Sequence, residues 1–114
     1  MALFAFAAPI LPGKRSQWDA FIAEITGPRR SAFNASRQRN GVHERTFLQE
    51  TPQGDIVIVT LEGENPMQAM GAFANGDDDF TRWFVEQVQE IHGFDLRQPP
   101  ANPPRSVIDS AMTS

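Results

Sequence analysis

The sequence has no cysteine, no tyrosine and no apolar run as long as a membrane span. Without cysteine, the chain can form no disulfide, no thiolate nucleophile and no thiolate metal site. The apolar residues 1–9 fall far short of the ~20 that a spanning helix needs, and they lack a basic leader. They read as a buried strand rather than a signal peptide, so we expect a cytoplasmic protein with no membrane partner.

Basic residues are in the minority, since ten Lys and Arg against fourteen Asp and Glu give a net charge of −4. An acidic chain has no general electrostatic reason to bind nucleic acid. Five of the ten basic residues nevertheless form an Arg29–Arg45 basic cluster that only Glu44 opposes. A solvated helix face is the favoured interpretation of this cluster, and an anion site is the alternative. Its members are Arg29, Arg30, Arg37, Arg39 and Arg45.

Phenylalanine is abundant by contrast, with nine Phe and two Trp in the chain. At 114 residues the chain is long enough for one domain and one core, but not for two. The sequence therefore predicts a single core in which aromatic packing dominates.

Four stretches have the character of β-strands. Residues 2–10 form a short apolar run that prolines and a glycine bound. Residues 41–62 contain two strand-like runs joined by Pro52-Gln53-Gly54-Asp55, a sequence suited to a hairpin connection. A short last strand is predicted at residues 94–96, Phe-Asp-Leu.

The remaining periodicity is helical. A first helix has one apolar stripe and ends at Gly27-Pro28, and a second segment covers about residues 29–39. Asn65-Pro66 has the form of a helix start, and that short helix runs to about Ala74. A last helix precedes Gly93, a residue that favours helix ends. The apolar stripes are Trp18, Phe21, Ile22 and Ile25 in the first helix and Phe80, Phe84, Val88 and Ile91 in the last.

These elements alternate in the order β-α-β-β-α-β, with extra helical turns. That order is the ferredoxin-like pattern, an α+β fold with an antiparallel sheet and helices on one face. We assign residues 1–97 to this domain. Residues 98–114 form a proline-rich tail that is expected to be extended or disordered.

The strands are apolar on both faces, which a single layer of helices cannot cover. In the first strand Leu3 and Ala5 oppose Phe4 and Phe6, because side chains alternate along a strand. The third strand alternates in the same way between Ile56, Ile58 and Val57, Val59, Leu61. A second copy of the chain would cover the other face, so we predict a homodimer.

The chain resembles the dimeric α+β barrel superfamily, which includes antibiotic-biosynthesis-type monooxygenases, haem-degrading monooxygenases and small domains of unknown activity. The resemblance covers about residues 1–97. It rests on the element order, the Gly41–Glu62 hairpin and the helix at residues 80–92. It implies a dimeric α+β barrel that either binds a small molecule or acts as a cofactor-independent monooxygenase-like enzyme.

The haem-degrading branch is similar in placing a Trp and then a His along the last helical region, where Trp83 and His92 stand here. That branch also uses an Asn on the first strand, and residues 2–10 contain none. We therefore expect no cofactor, and packing and helix-end roles for Trp83 and His92 remain the alternatives. Asp77-Asp78-Asp79 is explained as helix-start electrostatics rather than as a metal site, so no metal is predicted.

The sequence thus predicts a planar, apolar ligand in a cavity between the sheet and the helices. His43 or His92 would supply the polar or catalytic group, acting as a base near neutral pH. The alternative is a non-catalytic dimerisation or regulatory module with a filled core. The residues predicted to shape the cavity are Phe4, Phe6, Phe47, Trp83 and Phe84.

Overall fold

The residues that the structure describes form three strands and four helices. A computed structural model describes residues 2–98, 100 and 102–111. In chain order the elements are β1 (Ala2–Pro9), α1 (Arg15–Thr26), α2 (Arg30–Arg39), β2 (Val42–Thr51), β3 (Gly54–Gly63), α3 (Pro66–Ala74) and α4 (Asp79–His92).

The strands form one antiparallel sheet in the order β1-β3-β2. The predicted hairpin joins β2 to β3 through Pro52-Gln53, and Thr51 pairs with Gly54 across the turn. Gly54 has a φ of 138°, which an L side chain rarely adopts, so the glycine is needed there. β3 lies in the centre because β1 pairs with its other edge, from Ala2 opposite Gly63 to Pro9 opposite Ile56.

The two faces of the sheet differ sharply in burial. Phe4, Val57 and Leu61 lie on the inner face and are buried against the helices. Leu3 and Phe47 lie on the outer face, where 62% and 51% of their surfaces are exposed. The predicted alternation of β1 and β3 is therefore present, and the described residues leave the outer face of the sheet uncovered.

Helices α1 and α4 supply most of the other half of the core. Phe21 of α1 packs against Phe84 of α4 with ring centroids 5.2 Å apart. Asp78 precedes α4 as its N-cap, and its carboxylate accepts a hydrogen bond from the Thr81 N–H at 3.0 Å. Gly93 follows α4 as its C-cap, with a φ of 82°. Such an N-cap and a left-handed C-terminal glycine satisfy helix-end groups that would otherwise lack partners.

The predicted last strand is the main difference from the expected fold. Residues 94–96 lie outside any strand, and a turn forms instead, in which Gln98 N–H donates to Asp95 O at 3.0 Å. The Asp95 carboxylate accepts from the Arg97 backbone N–H and its side chain, while Leu96 is buried in the core. These local bonds and the burial of Leu96 hold the segment in a turn instead of a strand paired with β1. The α+β class with an antiparallel sheet is confirmed, but the complete ferredoxin-like order is not.

The described part of the tail lies on the surface. Val107 and Ile108 are 77% and 86% exposed. Pro99, Ala101 and residues 112–114 of the predicted extended tail lie outside the described residues. Among the helices of the described residues, none has the length and apolar character to span a membrane.

Candidate functional site

A cavity of about 280 Å³ lies between the inner face of the sheet and the helices. Its wall is mostly apolar and comes from β1, β3, α1 and α4, with Phe6, Trp18, Phe21, Val59 and Phe84 among its residues. The large rings that fill the core do not close this space. Only a few polar side chains reach it, and two of them form an ion pair.

The ion pair joins Arg37 of α2 to Glu44 of β2. Arg37 Nε donates to Glu44 Oε1 at 2.7 Å, and Arg37 Nη1 donates to Ser36 Oγ at 2.9 Å. The two side chains are only 6% and 8% exposed, so this is a buried pair that borders the cavity. Burial lowers the pKa of Arg37, and the Glu44 carboxylate opposes that shift.

Aromatic rings surround the Arg37 guanidinium. Its carbon lies 3.8 Å from the ring centroid of Phe73, 4.5 Å from that of Phe33 and 4.6 Å from that of Phe84. Cation–π contacts of this kind offset part of the cost of removing the cation from water. Arg37 Nη2 has no hydrogen-bond partner among the described residues. The pair therefore retains donor capacity beside the cavity.

Glu44 retains acceptor capacity as well. Its Oε2 atom has a single long contact, 3.5 Å from Thr46 Oγ1, whereas Oε1 makes the short bond to Arg37. Glu44 and Thr46 both line the cavity. A donor group on a bound molecule would find its acceptor here, next to the Arg37 guanidinium.

His92 is the other titratable residue of the cavity wall. Its Nδ1 lies 2.7 Å from the carbonyl oxygen of Pro9, and a carbonyl can only accept, so Nδ1 carries the proton. The other ring nitrogen, Nε2, is therefore an acceptor when the imidazole is neutral. Burial lowers the pKa of His92, while the bond to Pro9 opposes that shift. A neutral imidazole whose Nε2 is an acceptor has the protonation state of a general base.

The predicted site residues fall into three groups. Phe6, Phe84 and His92 line the cavity. Phe4 is buried, and its ring centroid lies 5.8 Å from that of Phe6. Trp83 is partly buried, and its ring centroid lies 5.4 Å from that of Phe21. Neither Phe4 nor Trp83 lines the cavity. His43 and Phe47 are exposed on the outer face, because odd-numbered residues of β2 point away from the helices. The structure does not bring these last two residues to the cavity.

Glu44 is the polar residue of the cavity that the sequence interpretation does not single out. The sequence places Arg37 in a basic cluster that is either a solvated face or an anion site, and the structure buries Arg37 beside the Glu44 carboxylate. The alternation of side chains along β2 could have identified Glu44, because residues two apart lie on the same face and Val42 on that face is buried. A lone acid on the inner face of a strand requires a buried partner. Within residues 2–98, 100 and 102–111, no group of three His, Asp or Glu is placed to hold a metal ion.

Searches against protein-family models, curated proteins and solved structures found no match for this chain. The fold and the geometry of the cavity are therefore the basis for a functional assignment.

Proposed function

We propose that this protein binds a small, planar and largely apolar molecule in the cavity between the sheet and the helices. The observation that carries the proposal is an open cavity of about 280 Å³ with a buried ion pair in a mostly apolar wall. Ligand sites commonly combine such a wall with a few polar groups that orient the ligand.

The volume limits the size of the molecule. An apolar cavity of roughly 150 Å³ is large enough for benzene, whereas drug-sized ligands occupy pockets of roughly 300–1,000 Å³. The present cavity fits between these cases. A molecule of two fused rings matches its volume, and the flat faces of Phe21 and Phe84 suit aromatic packing.

The charges limit the polar group of the ligand. Arg37 and Glu44 neutralise each other, so a bound carboxylate would introduce an uncompensated charge into a buried space. An uncharged group that hydrogen-bonds avoids this cost. A hydroxyl could donate to Glu44 Oε2, and a carbonyl could accept from Arg37 Nη2. Turnover, as in a monooxygenase-like enzyme, would use neutral His92 as the base that removes a proton from the ligand.

We also propose that the outer face of the sheet packs against the same face of a second copy of the chain, as in a dimeric α+β barrel. The exposed Leu3 and Phe47 lie on this face with Ile58, which is opposite Phe47 across the β2–β3 ladder. Large exposed apolar patches usually mark association sites. Sedimentation equilibrium should give a mass near 25 kDa at micromolar concentration, twice the chain mass of 12.7 kDa. A species of single-chain mass alone at that concentration would contradict the dimer.

A probe series tests the ligand class. Naphthalene, 2-naphthol and 2-naphthoate share one ring system and differ in their polar group, and Trp18 in the cavity wall reports binding by its fluorescence. We expect 2-naphthol to bind most tightly and 2-naphthoate least, because only the anion adds a buried charge. The non-catalytic module predicts no saturable binding of any of the three.

The matched variant is Arg37→Met/Glu44→Leu, which replaces both charges with apolar side chains of similar length. It should still bind naphthalene but lose the preference for 2-naphthol. Equal preference in the wild type and the variant would show that the ion pair does not recognise the ligand.

A further inference from the structure

Strand β1 has a free edge that the described part of the chain leaves unpaired. Ile10 N–H donates to Asp55 O on the β3 side, whereas the Pro9 carbonyl accepts from His92 on the opposite side. Backbone groups alternate in direction along an antiparallel strand. The N–H and C=O groups of Leu3, Ala5 and Ala7 therefore face away from β3, and no described residue bonds them.

This edge also lacks the usual protection against strand addition. Natural sheets shield exposed edges with charged side chains, bulges or covering segments. The other edge strand, β2, carries Glu44, Arg45 and Glu50, whereas no residue of Ala2–Pro9 is charged. The unprotected part of the edge is three outward-facing residues long, because His92 already occupies the Pro9 carbonyl.

The same chain contains a segment suited to this edge. Val107 and Ile108 are adjacent, β-branched and almost fully exposed, and they are flanked by Arg105 and Asp109. Residues of this type favour strands, and exposed aliphatic pairs favour burial. Residues 105–109 have no proline, so every residue can donate to a ladder.

The length of the tail bears on whether it pairs with the β1 edge of its own chain or with that of a second chain. The chain leaves the fold beside the Pro9 end of β1, where Leu11 N–H donates to Ile91 O at 2.9 Å and Leu96 is buried. The four prolines between Gln98 and Arg105 cannot donate to a ladder, and those seven steps span at most about 25 Å. β1 itself is about 26 Å long. If it ran fully extended along its own edge, the tail would therefore pass most of β1 before its pairing residues begin.

We propose that residues 105–109 add as a strand to the free β1 edge of a second copy of the chain. The exchange is reciprocal, so each tail extends the partner's sheet at the position that the predicted last strand leaves empty. This inference rests on the proposed homodimer but uses the strand edge rather than the outer face of the sheet. It assigns a role to the tail in assembly.

Disulfide trapping tests the exchange. Because the chain has no native cysteine, every disulfide must join introduced cysteines. One chain carries Val107→Cys, and a second chain with a size tag carries Leu3→Cys, Ala5→Cys or Ala7→Cys. Residues opposite each other in an antiparallel ladder have Cα atoms within about 5.5 Å, a distance that a disulfide can bridge. We expect a mixed disulfide dimer with at least one of the three positions after mild oxidation. Ala20→Cys on the exposed surface of α1 is the control and should give little product.

The proposal is overturned if no mixed dimer forms at any of the three positions, or if Ala20→Cys gives as much product. It is also overturned if a chain carrying both Ala5→Cys and Val107→Cys forms the disulfide within one monomer. Sedimentation of the same reduced samples separates the two proposals. A reduced protein that is dimeric but not trapped contradicts only the tail exchange. A reduced protein that is monomeric contradicts the homodimer as well.

Discussion

Arg37 is a buried cation that borders the cavity. Its charge is held by Glu44 at 2.7 Å and by three phenylalanine rings, and all of these contacts are within the fold. Removing one partner of a buried ion pair leaves the other charge uncompensated, whereas removing both charges can be nearly neutral. The stability of the variants therefore reveals whether the pair is buried as described.

We expect Arg37→Met to lower the free energy of unfolding by about 3 kcal/mol, because Glu44 then lacks a cation. The double variant Arg37→Met/Glu44→Leu should recover most of that loss. Urea unfolding followed by tryptophan fluorescence measures the unfolding free energies of the single and the double variant. Arg45→Met, which breaks the exposed pair with Glu62, is the control and should lower the unfolding free energy by under about 1 kcal/mol. Glu44→Leu alone completes the comparison. If the losses of unfolding free energy in Arg37→Met and in Glu44→Leu add up to the loss in the double variant, the two side chains do not form a direct pair.

His92 should make stability depend on pH. Its pKa in the folded protein lies below the ordinary value of 6.5, so the unfolded chain binds the proton more readily. Stability is then full above about pH 6.5 and is lost as the pH falls through the folded pKa. His92→Asn keeps a donor for the Pro9 carbonyl but cannot titrate, so its unfolding free energy should vary less between pH 7 and 5. His43→Asn on the exposed face is the control, and an equal change in both variants would contradict the buried role of His92.

At the scale of elements, the ends of α4 position the cavity wall. Asp78 Oδ2 accepts from Thr81 N and Oδ1 accepts from Thr81 Oγ1 at 2.7 Å, and these bonds hold the pKa of Asp78 below its usual range. The helix then presents Phe84 and His92, two turns apart, to the same cavity.

Asp78→Ala should destabilise the protein by about 1 kcal/mol, because the helix loses its N-cap. Asp77→Ala removes a neighbouring acid that lies outside the helix and is the matched control. Thermal unfolding followed by circular dichroism compares them. Equal melting temperatures for the two variants would contradict the capping role.

The elements that could be predicted from the sequence are those with local signals. The Asn65-Pro66 start, the Gly93 end and the 52–53 turn each depend on backbone chemistry within a few residues, and all three are present. The segment at residues 94–96 could not be predicted in this way, because it has the composition of a strand. Its position follows from tertiary burial of Leu96 and from the Asp95–Arg97 contacts.

At the scale of the whole molecule, the cavity depends on residues distant in sequence. Phe6 and Phe84 follow from the strand and helix patterns and His92 from the family resemblance, whereas the burial of Arg37 depends on the packing of α2 over β2. No periodicity shows that packing, because α2 has Phe33 as its single large apolar residue. The sequence therefore predicts two of the rings in the cavity wall, Phe6 and Phe84, but not the Arg37–Glu44 ion pair.

Truncation after Arg97 should leave the fold intact, because the buried core residues of the described part of the chain all lie at or before Leu96. The far-ultraviolet circular dichroism of residues 1–97 is expected to match that of the full chain apart from the small contribution of the tail. An unfolded truncated protein would show that the domain boundary lies further along the chain.

The most direct test of the central claim is calorimetric titration of 2-naphthol into the wild type and into Val59→Phe. Val59 lies on the inner face of β3 in the cavity wall, so a phenyl ring there occupies the proposed binding space. Ala20→Phe on the exposed surface of α1 adds the same ring away from the cavity. We predict one saturable site per chain in the wild type and in Ala20→Phe, and loss of that site in a folded Val59→Phe protein. Unchanged binding in Val59→Phe, or no saturable binding in the wild type, would contradict the assignment of the cavity as a ligand site.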